Sequence, residues 1–313
     1  MENFIKFMTK QPISQSQKRF QESLSALFCS DESESPDFLF LKSSTDVGVE
    51  RNGGRNGARL APRSLISYFK KLNIKPTFEN KVFTEVEVSS ESNERADFHG
   101  AQIIEALAIA PFINHIEKSF LCHVGGGHDH IFPLLMALGK KYQKIIVLNT
   151  DAHADTRVDI ESHSGTPFRQ FAEEFKGEFH LYQIGLHEFA NSQSTLSPLN
   201  KTEFHTLWRK DLRDHQKTVN FFKEIEKVVD EKSVVVFSLD ADALDGSHMP
   251  GVSAVNGDGI SLEELRALWT HYRGLFTAHQ PVIGIYELNP VYDSQSMLSM
   301  RTIGAFLYQC FEF

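Results

Sequence analysis

Short apolar runs alternate with longer amphipathic segments along most of this chain. Seven of the short runs are rich in β-branched and aromatic residues, a composition that favours β-strands. These runs are FLFL at 38–41, VFTEVEV at 82–88, FLCHV at 120–124, IIVLN at 145–149, FHLYQIG at 179–185, VVVFSLD at 234–240 and VIGIYEL at 282–288. The pattern therefore predicts strands separated by longer connections.

The longer segments between the strands have the spacing of amphipathic helices. The predicted helices are Pro62–Leu72, with a proline in its first turn, Asp97–Lys118, with a capping aspartate, Asp129–Tyr142, Leu262–Arg273 and Ser294–Phe311. Strands that alternate with helices predict an α/β fold of three layers, in which helices cover both faces of a mainly parallel sheet. In such a sheet, ligands bind at the carboxyl ends of the strands.

One stretch has the composition of a linker, the polar and acidic segment Ser30–Asp37. The sequence contains no internal repeat and no low-complexity tract. We therefore predict an N-terminal extension with a polar linker over residues 1–37, followed by a single α/β domain over residues 38–313. The length of 313 residues is sufficient for a sizeable core.

The net charge of −9 argues against a nucleic acid or an anionic membrane surface as the main partner. No stretch reaches the roughly 18 uninterrupted apolar residues of a membrane span, because Glu105 and Pro111 interrupt the most apolar candidate at 103–113. The N-terminus lacks the apolar run of a signal peptide, and the three cysteines are too few and too scattered for a disulfide framework. These features predict a cytoplasmic protein that binds neither membranes nor nucleic acid.

Three of the predicted strands end in an unusual concentration of histidine and aspartate. The segments are GGGHDH at 125–130, TDAHAD at 150–155 and LDADALD at 239–245. Side chains two residues apart on an extended segment share a face, so Asp151, His153 and Asp155 are expected to point together. The same spacing relates Asp240 and Asp242. One such residue alone is more often a helix cap, but three clusters on parallel strand ends predict a ligand site.

The residue types restrict the ion that such a site would bind. Four carboxylates and two imidazoles without a thiolate favour hard or borderline divalent ions such as Mn²⁺ over a structural Zn²⁺. The four carboxylates are those of Asp151, Asp155, Asp240 and Asp242. Two divalent ions would neutralise their charge, and crowded carboxylates are costly without such ions. Because two ions can lower the pKa of a shared water and direct it at an electrophilic carbon, the predicted chemistry is hydrolysis.

The blocks GGGHD, DAHAD, SLDADALD and ELNPVYD resemble the signature motifs of the ureohydrolase superfamily, which includes arginases, agmatinases and formimidoylglutamases. The resemblance runs from about Asp46 to Asp293 and implies an arginase-like α/β fold. It also implies a cofactor of two Mn²⁺ ions per chain, whose bridging hydroxide attacks an amidine or guanidine carbon. The positions that match the metal ligands are His128, Asp151, His153, Asp155, Asp240 and Asp242.

Three further blocks resemble the formimidoylglutamase branch more than the other branches. They are VGVERNGGRNGARLAPRSL at 47–65, SGTPFRQ at 164–170 and MPGVSAV at 249–255, where agmatinases and arginases more often carry a GTGTP-like or PVVGG-like stretch after the last aspartates. Tight turns explain the glycines of these blocks but not their paired arginines. The resemblance thus implies N-formimidoyl-L-glutamate as substrate, with L-glutamate and formamide as products of a step in histidine degradation.

The resemblance also implies roles for single residues near the metals. Glu287 matches a carboxylate that receives the cationic nitrogen end of the substrate, while Asp155 or another metal-bound aspartate orients the hydroxide. Many family members carry HGT with a proton-shuttle histidine where this chain reads HSGT at 163–166. Either His163 or Ser164 therefore fills the shuttle position.

Several other polar residues flank these motifs. Asp129, His130, Asp245 and Asn289 are candidates for orienting the ligands, although Asp129 more simply suits a helix cap. Cys122 and His123 lie within a predicted strand and are interpreted as core residues.

An acidic substrate needs cationic partners, and Arg157 is the first candidate. It follows DAHAD by two residues, so a locally extended chain would place it on the face of Asp155, near the mouth of the site. Its planar guanidinium matches a carboxylate through two hydrogen bonds, whereas agmatine would bring a second positive charge to the same place. The alternative is a surface ion pair with Asp159 or Glu161. Weaker candidates for a second substrate carboxylate are Arg169, Arg51 and Arg55.

Two other functions stay open on the sequence alone. A guanidino hydrolase acting on agmatine, arginine or a guanidino acid would share the metal site and release urea. A non-catalytic, metal-binding regulatory protein would not need a complete dinuclear site, so the six filled ligand positions argue against it. The expected partner is a small amidine that carries carboxylates, and the superfamily commonly forms homo-oligomers.

Overall fold

The computed structural model describes Arg19 and residues 21–29, 36–200, 202–275 and 279–311. Within these residues eight strands form one sheet. The strands are β1 (Phe38–Ser43), β2 (Phe83–Glu87), β3 (Phe120–Gly125), β4 (Lys144–Thr150), β5 (Glu178–Leu186), β6 (Thr202–Trp208), β7 (Ser233–Asp240) and β8 (Val282–Tyr286). Their order in the sheet is β2-β1-β3-β8-β7-β4-β5-β6, and every neighbouring pair is parallel.

Helices connect the strands and cover the sheet. They are α1 (Val47–Arg51), α2 (Ala61–Phe69), α3 (Glu91–Ala96), α4 (Phe98–Ile113), α5 (Ile131–Leu138), α6 (Pro167–Glu174), α7 (Arg209–Leu212), α8 (His215–Val228), α9 (Leu262–Gly274) and α10 (Leu298–Cys310). Helices α2, α8, α9 and α10 contribute to the apolar core on one face, and α4, α5 and α6 contribute to the core on the other. The predicted three-layer α/β fold with a mainly parallel sheet is confirmed.

The alternation of side chains along each strand produces the two cores. In β1, Phe38 and Phe40 belong to the first core, while Leu39 and Leu41 belong to the second. Successive strand residues point to opposite faces, so a strand with helices on both sides needs apolar residues at consecutive positions. His123 in β3 is buried, as is its neighbour Cys122, which confirms their interpretation as core residues.

Part of the predicted N-terminal extension packs on this domain. Leu24 is fully buried and its amide donates to the carbonyl of Leu72, while the amide of Cys29 donates to the carbonyl of Phe83. Residues 1–18 of the extension and 30–35 of the predicted polar linker lie outside the described residues. The domain boundary at residue 37 therefore stays a prediction. Among the described residues, no helix is both long enough and apolar enough to cross a membrane.

Two local expectations about helix starts have different outcomes. Asp97 caps α4, because its Oδ1 accepts the amide hydrogen of Gly100 at 3.0 Å. The helix-cap interpretation of Asp129 is wrong. Helix α5 begins at Ile131 with His130 in the cap position, and neither carboxylate oxygen of Asp129 accepts a hydrogen bond from another described residue.

Candidate metal centre

The four middle strands of the sheet carry the histidine and aspartate clusters at their carboxyl ends. His128 follows β3, Asp151 follows β4, Asp240 ends β7, and Glu287 follows β8. These four strands are direct neighbours in the order β3-β8-β7-β4. Because all of them are parallel, their carboxyl ends meet at one edge of the sheet.

One group of ligand atoms surrounds the imidazole of His128. Its Nδ1 lies 3.2 Å from Asp151 Oδ2, 2.9 Å from Asp155 Oδ2 and 3.1 Å from Asp240 Oδ2. All of these potential ligand atoms lie within 4.8 Å of one another, and the four residues are buried. We call His128, Asp151, Asp155 and Asp240 the inner ligand cluster.

A second group shares Asp151 with the inner ligand cluster. His153 Nδ1 lies 3.7 Å from Asp151 Oδ1 and 3.3 Å from Asp242 Oδ2, and these residues also meet the 4.8 Å spacing. The side chain of His153 is 38% exposed, so the second group is closer to solvent than the first. We call Asp151, His153 and Asp242 the outer ligand cluster. The structure thus brings all six predicted metal ligands together in two adjoining groups.

The segment 151–155 after β4 is not fully extended, although the spacing of its side chains suggested an extended chain. Asp155 has a φ of 50°, in the left-handed region, so the expectation of an extended chain is wrong at this residue. Glu287 has a φ of 62° in the same region. Left-handed backbone is uncommon for residues other than glycine and is found disproportionately at functional sites. Both residues line the pocket at the metal centre.

The charges at the site oppose one another strongly. Burial and the carboxylate of Asp155 raise the pKa of Asp151 to about 6, and burial with Asp242 raises the pKa of Asp240 well above its ordinary value. The Asp242 carboxylate raises the pKa of His153 to about 11. Burial lowers the pKa of His128, but the carboxylates around it raise that pKa well above its ordinary value. Bound protons neutralise part of the carboxylate charge, and bound cations would replace those protons.

The donor set fits two divalent ions. No lysine or arginine among the described residues pairs with any of the four aspartates, so the site holds no side-chain cation other than its histidines. Asp242 Oδ1 is buried and accepts no hydrogen bond from the described residues. Carboxylate oxygens and imidazole nitrogens without thiolates suit hard or borderline divalent ions.

Two residues that the sequence motifs did not single out hold the His128 ring. Ser238 Oγ lies 2.9 Å from His128 Nε2, and the ring of Tyr286 stacks on the imidazole at 4.9 Å. These contacts leave Nδ1 directed at the carboxylates, as expected of groups that orient a metal ligand. Ser238 does carry a sequence signal, because it is a polar residue inside the otherwise apolar strand VVVFSLD.

A network of amides holds the loop after β4. The Asn149 amide donates to Asp151 Oδ2 at 3.2 Å and to Gln183 Oε1 at 2.8 Å, and Gln183 donates to the carbonyl of Ala154 at 2.6 Å. Asn191 accepts from the amide of Ala154 at 2.8 Å. Asn191 comes from a distant loop without a recognisable motif, so sequence alone gave no signal for it.

A pocket of about 470 Å³ opens onto the two ligand clusters. Its wall includes His153, Asp155, Asp240, Asp242 and Glu287. One oxygen of Glu287 accepts the amide hydrogen of His128 at 3.0 Å. Burial, with a contribution from Asp242, raises the pKa of Glu287 to about 8. The pocket therefore has a strongly anionic floor wherever these groups are ionised.

Arg157 lines this pocket, and its side chain is 49% exposed. Its Nη1 donates to Asn52 Oδ1 at 2.6 Å, and its Nε lies 3.0 Å from Asp159 Oδ2. Arg157 thus lines the pocket that contains the ligand clusters, and it also makes the ion pair with Asp159 that was the alternative. Nη2 of Arg157 donates to none of the described residues.

Ser164 lines the pocket, whereas His163 lies behind the wall. Both ring nitrogens of His163 have partners: Nδ1 accepts the amide hydrogen of Gly165 at 3.0 Å, and Nε2 lies 2.9 Å from Asp159 Oδ2. The role of His163 stays a prediction.

The other arginine candidates lie outside the pocket wall and bind main-chain oxygens. Arg51 donates to the Ser162 carbonyl and to Glu161, and Arg169 donates to the Thr156 carbonyl and to Ser197 Oγ. Arg55 donates to the carbonyls of Ser253 and Val252 and packs over the ring of Tyr292. These contacts tie neighbouring loops together.

The remaining candidates for orienting ligands have different surroundings. Asn289 donates to the carbonyl of Arg55 at 2.9 Å, so it fixes the loop beside the pocket. Asp245 accepts the amide hydrogen of Ser247 at 2.9 Å and does not contact the ligand clusters. His130 and Asp129 lie behind His128 in a separate buried group, treated below.

A sequence profile of the arginase family matches residues 45–311, which is most of the chain. The chain belongs to the arginase family. Formimidoylglutamase from Staphylococcus aureus is 30% identical over 253 residues, which cover 80% of this chain and 78% of that protein. Membership of this family makes the chain a metal-dependent hydrolase of C–N bonds with a dinuclear metal site.

Solved structures of arginase-family proteins share the fold. Formimidoylglutamase from Bacillus subtilis subsp. subtilis str. 168 has a TM-score of 0.79 at 20% identity, covering 99% of this chain and 98% of that one. Trypanosoma cruzi formiminoglutamase with Mn²⁺ has a TM-score of 0.72 at 22% identity, covering 92% of this chain and 97% of that one. A hypothetical agmatinase from Burkholderia thailandensis has a TM-score of 0.71 at 18% identity, covering 93% of this chain and 90% of that one. At these identities the likeness shows the fold alone.

Proposed function

We propose that this chain hydrolyses N-formimidoyl-L-glutamate to L-glutamate and formamide with two Mn²⁺ ions in its pocket. The observation that carries this proposal is the position of Arg157. Among the described residues that line the pocket, it is the one arginine or lysine; its side chain is 49% exposed, and the same pocket is lined by the ligands His153, Asp155, Asp240 and Asp242. The substrate has a cationic amidinium at one end and carboxylates at the other, which matches this distribution of charge.

The two ligand clusters would hold the ions. The inner cluster offers one imidazole and three carboxylates, and the outer cluster offers one imidazole and two carboxylates with Asp151 shared between them. When bound, two such ions lower the pKa of a shared water and make it a nucleophile near neutral pH. The absence of thiolates from the donor set supports Mn²⁺ over a structural Zn²⁺, and the Trypanosoma cruzi relative was solved with Mn²⁺.

Glu287 is suited to bind the amidinium. One of its oxygens accepts the amide hydrogen of His128, which leaves the other oxygen for the N–H groups of the substrate. Burial and Asp242 hold the pKa of this carboxyl at about 8. A cationic substrate nitrogen beside it favours the ionised form, so binding and ionisation support each other.

Arg157 is suited to bind a substrate carboxylate. Asn52 and Asp159 occupy its Nη1 and Nε donors and fix the plane of the guanidinium. Its Nη2 group is available to a ligand in the pocket, where Asn52 and Ser164 add neutral polar groups. Agmatine would place an ammonium group here, beside a guanidinium, at an electrostatic cost.

The reaction adds one water across the C–N bond. The water oxygen joins the formimidoyl carbon, the bond from that carbon to the glutamate nitrogen breaks, and this nitrogen takes up both protons of the water and leaves as the ammonium group of glutamate. Asp155 is the proposed residue for orienting the water, because it belongs to the inner cluster and lines the pocket. For His163 to deliver the proton, its contact with Asp159 would have to break.

A comparison of three substrates tests the proposal. The Mn²⁺-loaded protein is incubated separately with N-formimidoyl-L-glutamate, with the N-formimidoyl derivative of an alkylamine that lacks carboxylates, and with agmatine. A charged hydrogen bond to a carboxylate should raise kcat/KM for the acid by about tenfold or more. Equal kcat/KM values would contradict recognition by Arg157. Faster urea release from agmatine would assign the pocket to a guanidino hydrolase instead.

A further inference from the structure

A second group of metal-type side chains lies behind the turn that carries His128. Glu94 from α3, Glu105 from α4 and His130 place one potential ligand atom each within 4.8 Å of the others, and all three residues are buried. None of them lines the pocket. The group is therefore distinct from the two ligand clusters described above.

The hydrogen bonds of His130 orient its ring as in many metal sites. Its Nδ1 lies 3.0 Å from Glu105 Oε2 and donates to that carboxylate, while Nε2 faces Thr45 Oγ1 at 3.0 Å. The single hydroxyl hydrogen of Thr45 goes to Glu94, so the hydroxyl has no hydrogen to donate to the imidazole. A carboxylate that holds one histidine nitrogen while the other faces further oxygen ligands is the usual second layer of a metal site.

Asp129 supplies an independent observation. Its side chain is 1% exposed, and neither oxygen accepts a hydrogen bond from another described residue. Its Oδ2 points to His130 Nε2 at 3.9 Å. This separation is too long for a hydrogen bond, but it is within the roughly 3–4.3 Å that separates two N or O ligands of one ion at bond lengths near 2.1 Å.

Two glycines make room for this carboxylate. A Cβ added at Gly48 would lie 2.1 Å from Asp129 Oδ1, and a Cβ added at Gly127 would lie 2.2 Å from the same atom. Any larger residue at either position would push the carboxylate out of its place. The fold therefore holds a buried acid here without a hydrogen-bond donor to satisfy it.

The charge of the group also calls for a cation. It contains the three carboxylates of Glu94, Glu105 and Asp129, and the only ion-pair partners of these carboxylates among the described residues are the imidazoles of His123 and His130. A single imidazolium at His130 does not balance three buried carboxylates, and buried carboxylates without a full counter-charge are destabilising, so a divalent ion would supply the remaining positive charge.

We propose that His130 Nε2, Asp129 and Glu94, together with Thr45 Oγ1, form a third metal site that binds a hard or borderline divalent ion such as Mn²⁺. The donor set of one imidazole nitrogen and several oxygens without a thiolate matches the preferences of this ion. The ion joins α3, the exit of β1 and the turn after β3, and thereby stiffens the support of His128. The proposal does not depend on which substrate occupies the pocket.

Anomalous diffraction from crystals of the full chain equilibrated with MnCl₂ tests this directly. We expect a manganese peak between His130 Nε2, Asp129 and Glu94, separate from any peaks in the pocket. Metal analysis of the dialysed protein should then give one more ion per chain in the wild type than in Glu94→Gln or Asp129→Asn. Glu91→Gln is the matched control, because Glu91 lies in the same helix but pairs with Arg95 on the surface.

Absence of the third peak in the wild-type crystal would overturn the proposal. An unchanged ion count in a folded Glu94→Gln or Asp129→Asn variant would overturn it equally. The diffraction experiment uses the wild-type protein, so it tests the proposal even if a variant fails to fold.

Discussion

At the scale of single residues, two side chains of the site belong to residues with an unfavourable backbone conformation. Asp155 and Glu287 both have positive φ values, and both line the pocket. A left-handed conformation at a residue other than glycine costs on the order of 1–3 kcal/mol. The surrounding contacts must therefore hold these residues in place, as the bond from the amide of His128 to Glu287 does.

Replacing Arg157 with alanine tests the proposed contact to the substrate carboxylate. Loss of a charged hydrogen-bonding partner costs about 1.5–3 kcal/mol, so KM for formimidoylglutamate should rise about 10 to 100-fold. Steady-state kinetics and metal analysis check this, and the metal content should stay unchanged. Arg213→Ala is the control, because Arg213 is an exposed arginine paired with Asp258. An unchanged KM in Arg157→Ala would refute the contact.

Replacing His163 with phenylalanine separates two roles for this residue. Phenylalanine keeps an aromatic side chain but has no ring nitrogen, so Asp159 keeps Arg157 as its one ion-pair partner, and its full negative charge there competes with the attraction of Arg157 for a substrate carboxylate. The competition should raise KM about two- to fivefold, in line with an exposed ion pair, with kcat nearly unchanged. A proton shuttle at His163 would instead lower kcat by about 10² or more. Steady-state kinetics at saturating Mn²⁺ distinguishes the outcomes.

At the scale of secondary-structure elements, strand β7 supplies both a candidate metal ligand and a residue that orients another candidate ligand. Ser238 and Asp240 are two positions apart, so they share a face of the strand. Ser238 binds Nε2 of His128 at 2.9 Å, and Asp240 faces Nδ1 of the same ring at 3.1 Å. One strand therefore fixes the imidazole from two sides.

Removing the Ser238 hydroxyl should weaken the inner ion. Ser238→Ala frees His128 Nε2, and loss of such an orienting contact typically lowers metal affinity about 10 to 100-fold. Isothermal titration with Mn²⁺ measures the change, and the outer ion should be affected less. Ser247→Ala is the control, since Ser247 lies on the exposed loop after β7. Equal affinities in wild type and Ser238→Ala would mean that the hydroxyl does not orient the ligand.

The sequence predicted those elements whose pattern is set by full burial. Strand β4 lies inside the sheet and reads IIVLN, whereas the edge strand β6 reads TEFHTLW, in which four polar residues break the apolar pattern, and it was missed. Helix α8 was missed too, although Asp214 caps it. The six candidate metal ligands could be named from the sequence because they follow predicted strands. Asn191 and Tyr286 were not, since their roles depend on loop and side-chain packing that spacing does not encode.

At the scale of the whole molecule, the formal net charge of −9 includes the negative charges of the four aspartates in the ligand clusters. These four aspartates lie near one another at the middle of the sheet. Either bound protons or bound metal ions must neutralise their carboxylate charges. Two divalent ions would replace the protons that these groups hold otherwise. Folding, metal content and pH are therefore linked in this chain.

Metal binding should release protons and strengthen as pH rises. The Asp242 carboxylate raises the pKa of His153 to about 11, so the imidazole is protonated at neutral pH and must lose that proton to bind an ion. The affinity for the outer ion should then increase with pH throughout the range below about 11. Calorimetric titration with Mn²⁺ in buffers of different ionisation enthalpy measures the protons released. Zero release at pH 7 would contradict the assignment of His153 as a ligand.

The most direct test of the central claim is a competition among substrates in one reaction. Metal-loaded protein is mixed with equal concentrations of N-formimidoyl-L-glutamate, agmatine and L-arginine, and NMR follows formamide and urea over time. The proposed binding of a substrate carboxylate by Arg157 and of the amidinium by Glu287 predicts that formamide forms at least about ten times faster than urea. Urea appearing first, with formimidoylglutamate left intact, would contradict the proposed function.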